Sequence, residues 1–451
     1  MVDAGRIWSG VCLCLSVACA YSCAGAPRGI EAPSPAAALN VERYYVLLEL
    51  DIPTKSVRGE TTLDFGRPLG AREVRFPSHA LVIDEVTSAE RALPFRVLQD
   101  QLVISLSADT NGEIRVRYHG RPKQGLVFGE RYVYTDFHTC HWMICNEEPG
   151  DKAALRMELV LPEVYQVVAS GELASRSLAM DGRQHSLWSQ ERPYSPYLFG
   201  FAAGEFSEVS QQLGPTNFRY LGLGVESGSL LARFADSGRM LEFLREKAGV
   251  PLPIPTYTQV LVPGSQAQEK SSFSLIGREE LDPILEDPHE DWVISHELSH
   301  QWWGNLITCK SWQHFWLNEG LATFMVAAYK EQRWGKAAYD RELALFAASR
   351  ERAAQAGFDV PLAYAGSFPT PRLKRSIVYA KGAQFLHVLR ERLGDAQFWQ
   401  GLRLYTRRYA GGVVESRDFQ NALEESSGQR LAELFDVWVY PRESSQRGAA
   451  D

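Results

Sequence analysis

Across residues 39–210 apolar and polar side chains alternate in short runs, at 45–52, 102–106, 113–118 and 156–161, and Gly, Pro, Asp and Asn separate many of them. A period of two lines one face of a strand, so this region predicts a β-rich domain. After Gly214-Pro215 the spacing changes: Leu230, Phe234, Leu241, Leu244 and Ala248 fall near a helical repeat, Gly249 and Pro251 end it, and 256–262 reads as a strand. From Asp291 onward helices are predicted over 292–304, 318–331, 378–393 and 416–426. The pattern therefore divides the chain into a β domain, 39–210, and a mainly helical domain, 211–440, before a polar tail, 441–451, that is expected to fray. Gly222, Gly224 and Gly228 follow a strand-like run, but their G-x-G-x-x-x-G spacing and the lack of a following βαβ series make them a turn before a helix and not a dinucleotide loop.

The first residues follow a different logic. Arg6 precedes an apolar stretch, 7–20, which has the charged start and short hydrophobic region of an export signal over 1–23 and is too short to span a bilayer comfortably. Four of the seven cysteines, Cys12, Cys14, Cys19 and Cys23, lie here. Ser16-Val17-Ala18-Cys19 and Ala20-Tyr21-Ser22-Cys23 resemble bacterial lipoprotein cleavage sites without the expected Leu three residues before the Cys; simple cleavage after Ala20 or Ala26 is the other reading. The expected location is outside the cytoplasm, either in a bacterial cell envelope, as a lipoprotein or periplasmic protein attached through an N-terminal lipid or free, or secreted. Residues 24–38, rich in Ala, Pro, Ser and Gly, suit a linker.

With 451 residues, 45% of them hydrophobic and 11% aromatic, the chain can bury ordinary cores. Its 47 basic and 55 acidic residues are interspersed and leave a net charge of -8, with no basic stripe for phosphates, so nucleic acid is not an expected partner.

The chemistry is concentrated in His296-Glu297-Leu298-Ser299-His300. Helical residues four apart share a face, so both imidazoles can converge on one ion with Glu297 beside its open position. Eighteen residues separate His300 from Glu319, enough for a connection and a return past the first helix, so Glu319 can complete a two-His, one-Glu set. Such a set, leaving one position for water, favours one zinc ion over calcium or magnesium, which prefer all-oxygen shells. A third-histidine zinc class would need Gly at 303 and His at 306, where Trp303 and Leu306 stand.

At this point the sequence resembles the aminopeptidase N family of gluzincin metallopeptidases, which includes leukotriene-A hydrolases. The likeness runs through His296-Glu297-Leu298-Ser299-His300-Gln301-Trp302-Trp303-Gly304-Asn305 and Trp316-Leu317-Asn318-Glu319-Gly320-Leu321-Ala322. Val378-Tyr379-Ala380-Lys381-Gly382-Ala383 resembles the family's Y-x-K-G-A segment, which implies that Tyr379 stabilises the oxyanion formed on the peptide carbonyl. Gln266-Ala267-Gln268-Glu269-Lys270 stands where the family has G-A-M-E-N. Only Ala267 and Glu269 agree, so the resemblance implies substrate binding by these two, with Glu269 receiving a free α-amino group; a solvated Glu269-Lys270 pair on a loop is the competing reading. Trp142-Met143-Ile144-Cys145-Asn146-Glu147-Glu148-Pro149 resembles W-F-P-C-x-D-x-P, while the family's amine-binding Gln has no counterpart at 134–136.

The resemblance implies an α+β protein: an N-terminal saddle-like antiparallel β domain followed by a thermolysin-like, mainly helical catalytic domain. It covers 41–440, without the large C-terminal helical domain of many members, and so leaves a more open cleft. His138, Cys140, His141 and Cys145 are read as packing or as a Cys140 to Cys145 disulfide, not as a second metal site, and Cys309 as a free structural thiol. The implied activity is zinc-dependent peptide hydrolysis with Glu297 as general base, releasing N-terminal residues. The alternatives are an endopeptidase with an open cleft, and a non-catalytic peptide-binding protein stabilised by zinc.

Overall fold

Strand Asn40–Asp51 buries every second residue or nearly so, with Tyr44, Val46, Leu48 and Leu50 turned inward, and this alternation builds the N-terminal domain. The computed structural model describes residues 39–66, 71–107, 110 and 112–441. The expected export signal over 1–23, the expected 24–38 linker and all of the 441–451 tail except Pro441 lie outside them. Asn40–Asp51 sits within an eight-stranded sheet, flanked by Ser56–Gly66 and Ala153–Pro162. Its pairing with Ala153–Pro162 is parallel, and the other pairings in that sheet are antiparallel. A three-stranded and a four-stranded antiparallel sheet complete the domain.

Strand Phe206–Leu213 straddles position 210 and pairs with Thr216–Leu223 across the Gly214 turn. The change of texture after Gly214-Pro215 is thus a hairpin inside a second sheet system. That sheet has five strands, in the order Phe206–Leu213, Thr216–Leu223, Thr256–Val262, Phe273–Gly277 and Ala267–Glu269. Its central pairings are parallel. Phe218, Tyr220, Tyr257, Leu261 and Ile276 join the helical core, while Leu221, Val260, Val262, Phe273 and Leu275 join the core of the β domain. Burial on both faces explains the near-continuous apolar runs of these strands, and it fuses the two domains through one sheet.

The helices are α1 (Ser227–Arg233), α2 (Ser237–Ala248), α3 (Arg278–Leu281), α4 (Trp292–Ser299), α5 (Trp316–Trp334), α6 (Lys336–Gln355), α7 (Pro371–Arg375), α8 (Gly382–Leu393), α9 (Asp395–Tyr409), α10 (Ser416–Ser427) and α11 (Ala432–Trp438). The protein is α+β, a mostly β domain followed by a mainly helical one. Among the described residues no helix is long and apolar enough to cross a membrane.

Three helix expectations are corrected. The repeat from Leu230 to Ala248 is two helices, because the chain leaves helical geometry at Phe234 and restarts at Ser237, while Leu230, Phe234, Leu241 and Leu244 all still reach one core. The helix expected over 292–304 ends at Ser299. Beyond it Asn305, Leu306 and Ile307 donate to the carbonyls of His300, Gln301 and Trp302, a wider turn closed by Gly304 at φ +130°. The segment before Gly382 winds as a π-helical turn, Ser376–Lys381, and only then continues as α8. Gly222 and Gly224 do lie at a strand end and turn before α1.

One close approach sets the distance between α5 and α8. A Cβ on Gly382 would lie 2.9 Å from Gly320 Cα, and one on Gly320 would lie 3.1 Å from Gly382 Cα. Two main chains can touch here only because both residues lack side chains. Gly382→Val is therefore expected to destabilise the fold by about 1–3 kcal/mol through overpacking, read as a lowered denaturation midpoint; an unchanged midpoint would contradict the packing argument.

Candidate metal centre

Helix α4 carries Val293, Ile294 and Leu298 into the helical core, and this burial turns His296 and Glu297 toward the cleft between α4 and α5. His300 follows the last helical residue but keeps helical dihedrals, and its N–H reaches the His296 carbonyl at 3.3 Å. The i, i+4 relation therefore holds: the two Nε2 atoms face each other at 3.1 Å. Glu319 enters from the first turn of α5, with Oε2 at 3.4 Å from each of those nitrogens. All three residues are buried.

This spacing fits a small tetrahedral cation, since bonds of about 2.0–2.1 Å at tetrahedral angles separate ligand atoms by roughly 3.4 Å. Three further observations support the fit. The Nδ1 atom of His300 lies 3.1 Å from the Trp303 carbonyl, an acceptor that calls for N–H on that side and leaves Nε2 with its lone pair. Gly304 makes room for this contact, because a Cβ there would sit 2.9 Å from His300 Nδ1. Finally, Glu319 Oε2 and Glu297 Oε2 are buried oxygens without a hydrogen-bond donor.

Charge makes the same point. Glu269 and Glu297 each place a carboxylate oxygen within 4.8 Å of a His300 ring nitrogen and of one another. Burial, reinforced by the neighbouring carboxylates, pushes the Glu297 carboxyl well above the usual range and raises that of Glu269. For His300 burial works toward a lower pKa, but Glu269, Glu319 and Glu297 outweigh it and raise the ring to about 10. Burial likewise opposes ionisation of Glu319, yet His300 and His296 hold it below its ordinary value. Three buried carboxylates around two imidazoles form a place for positive charge.

Tyr379 reaches the centre from the π-helical turn. Its ring lies nearly parallel to that of His296, interplanar angle 11° and centroids 5.9 Å apart. Burial, with Glu319 and Glu269 adding to it, raises its phenol well above the usual value, so it stays a neutral donor. Expected as the start of an α-helix, Tyr379 instead sits where the wider turn brings it over His296.

Glu269 ends the short strand Ala267–Glu269, in which half-buried Ala267 pairs with Ile276. The solvated pair on a loop is not observed: Glu269 is 4% and Lys270 0% exposed. The Lys270 Nζ donates to the Tyr197 carbonyl at 3.3 Å, and burial, only partly offset by Glu269 and Asp136, lowers its pKa to about 8. A tight turn follows, with Ser272 at φ +146°, a region non-glycine residues rarely occupy. The β domain pins this turn: Ser271 N–H donates to the Leu198 carbonyl at 3.1 Å, and Gly171 N–H donates to Ser272 Oγ at 2.9 Å.

Sequence reasoning gave no role to Gln301 and Asn305, whose side-chain amides both donate to the Lys270 carbonyl, at 3.0 and 2.9 Å. They tie the Glu269 strand to the loop after His300. Their signal was their place in the motif run. Tyr197 had none; its hydroxyl accepts from Asn318 Nδ2 at 3.0 Å, while Asn318 Oδ1 accepts from Cys309 N–H at 3.1 Å. Away from the centre, Cys140 and Cys145 are disulfide-bonded and Cys309 is a buried free thiol. His138 and His141 join His79 in a ring cluster that presents no converging ligand set among the described residues.

Residues 233–438 match the family described as "Peptidase family M1 domain". That segment is similar to a peptidase family M1 domain. The M1 match contains His296, Glu297, His300, Glu319, Tyr379, Ala267 and Glu269, whereas Tyr197 and the residues that pin the 270–273 turn precede it. Among curated relatives, "Aminopeptidase N" of Lactococcus lactis subsp. lactis is 31% identical over 432 residues, covering 88% of this chain and 50% of that protein. "Probable aminopeptidase 2" of Sulfurisphaera tokodaii is 23% identical over 429 residues, covering 89% of this chain and 53% of the relative. The chain thus spans about half the length of these curated relatives. An M1 zinc metallopeptidase from Deinococcus radiodurans, solved as a mutant bound to a Tyr-Ser-Ala substrate, superposes with a TM-score of 0.75 at 22% identity, covering 90% of this chain and 95% of that one.

Proposed function

We propose that the protein is a zinc-dependent aminopeptidase, with one zinc ion held by His296, His300 and Glu319. The observation that carries this reading is the convergence of two Nε2 atoms and one carboxylate oxygen, 3.1–3.4 Å apart, beside Glu297, whose Oε2 has no hydrogen-bond partner among the described residues. Zinc in that position would acidify water toward neutral pH and polarise the scissile carbonyl.

Glu297 accepts a proton from the attacking water and returns it to the leaving amine. Burial raises its pKa, which brings a carboxylate closer to the neutral range where acid and base roles are both available. The Tyr379 phenol, kept neutral by burial and by the carboxylates around it, donates to the oxygen that gains charge. Glu269 receives the substrate's free α-ammonium; its burial near Glu297 and Glu319 makes an incoming positive charge favourable and an uncharged, acylated terminus unfavourable. Buried Glu269 supports removal of N-terminal residues over cleavage within a chain, and the peptide-bound M1 relative supports peptide as the substrate class.

The location we propose is outside the cytoplasm, through an export signal over 1–23, with lipid attachment at Cys19 or Cys23 as the membrane-bound form. Arg6 and the apolar run after it support export, and the Cys140–Cys145 disulfide suits an oxidising compartment. Mass spectrometry of the mature N-terminus tests this: a chain starting at a lipid-modified Cys19 or Cys23, or cleaved after Ala20 or Ala26, supports export, and an intact Met1 contradicts it.

For the chemistry, Glu297→Gln is expected to keep its metal and lose about 10²–10⁴-fold in kcat. The parent protein should cleave peptides with free amino termini and spare their N-acetylated forms. A fully active Glu297→Gln variant overturns the assigned base, and equal cleavage of free and blocked peptides favours an endopeptidase.

A further inference from the structure

Buried ammonium groups are costly unless strongly compensated. Lys330 and Lys381 meet carboxylates, at 2.6 and 2.7 Å. Half-buried Lys152 has no such partner among the described residues. It lies in the β domain just before strand Ala153–Pro162, and its Nζ crosses to the helical domain and donates to the main-chain carbonyls of Asn305 at 3.1 Å and Leu306 at 2.9 Å. The Tyr194 ring lies 6.0 Å away. Desolvation of the ammonium lowers the Lys152 pKa to about 7.

The segment carrying Lys152 is built to hold it there. The Asp151 carboxylate accepts the Val41 N–H at 3.0 Å and Asn146 Nδ2 at 2.7 Å, which fixes the neighbouring residue to the β domain. Gly150 packs on the main chain of the helical domain, where a Cβ would lie 2.5 Å from the Lys310 carbonyl oxygen. Asn305, whose carbonyl receives Lys152, is also the residue whose side-chain amide donates to the Lys270 carbonyl, next to Glu269. A continuous path therefore runs from Lys152 through Asn305 to the residue after Glu269.

We propose that Lys152 is a positioning residue: its ammonium holds the loop after His300 against the β domain, keeps the Asn305 amide on the Lys270 carbonyl, and so fixes the Glu269 carboxylate beside the metal centre. The kinetic consequence rests on the reading of Glu269 as the acceptor of the substrate amine. The structural consequence does not. The sequence pattern gives Lys152 no role, because the contact joins positions 153 and 154 residues apart.

Lys152→Met removes the ammonium and keeps an apolar stem. The Asn305 carbonyl retains a shared donor in Thr308 Oγ1, 3.2 Å away and 2.7 Å from the Gly304 carbonyl, and that of Leu306 retains the Gly411 N–H at 3.0 Å. The test compares amide hydrogen exchange and steady-state kinetics of the metal-loaded parent and variant. Exchange is expected to quicken in peptides spanning 266–271 and 300–306 while one spanning 382–393 in α8 stays at the parent rate. For a substrate with a free amino terminus, KM should rise about tenfold with kcat within about threefold, the signature of lost binding that the transition state and ground state share.

Unchanged exchange at 266–271 overturns the proposal, as does uniform acceleration that includes α8, which would make Lys152 a general stability residue. Quickened local exchange with KM values for free and N-acetylated peptides rising together supports the positioning role and sinks the assignment of Glu269 to the substrate amine.

Discussion

Positive charge at one buried point is what the centre of this protein requires. Glu269, Glu297 and Glu319 converge with His296 and His300 where water is largely excluded, and the five side chains offer more negative than positive charge. Removing carboxylates from water costs several kcal/mol each unless a cation or a set of donors compensates them. Two carboxylate oxygens there have no protein donor. In the proposed reading a divalent cation would satisfy the two rings and Glu319, leaving Glu297 as a base and Glu269 to an incoming ammonium.

Holding like charges together demands a rigid frame, and the frame comes from both domains. Burial of α4 on the helical core points the histidines, and the glycine contact between α5 and α8 sets where Glu319 and Tyr379 can stand. The Glu269 strand belongs to a sheet whose other face is packed by the β domain. The turn after it is held by Leu198 and Gly171, and the Lys270 carbonyl is gripped from the loop after His300 by Gln301 and Asn305. The β domain thus reaches Glu269 through contacts to the turn that follows it.

Much of this was legible in the sequence where local periodicity carries the information. Two histidines four apart need only a helix to meet, and alternating strands such as Asn40–Asp51 need only one wet face and one dry face. Glu319 was legible because its distance from His300 allows a return past the same helix. Contacts between distant positions and departures from regular geometry were not. The break at 234–236 is invisible to a pattern that continues on the same core, and the π-helical turn at Ser376–Lys381 keeps a helix-like repeat while shifting Tyr379. Lys270, read as one half of an exposed pair, is drawn inside by a carbonyl contributed by Tyr197. Gln301 and Asn305 were visible as letters in a motif, but their shared acceptor, the Lys270 carbonyl, follows a strand and lies 31 and 35 residues before them.

The central claim is that His296, His300 and Glu319 hold one metal ion. X-ray absorption at the zinc edge, combined with metal quantification on the purified protein, tests it most directly. The account predicts one zinc per chain in a shell of two imidazole nitrogens and oxygen, lost when Glu319 and His300 are both replaced by Ala. Stoichiometric zinc in a sulfur-containing shell, or zinc retained in that double variant, would contradict it.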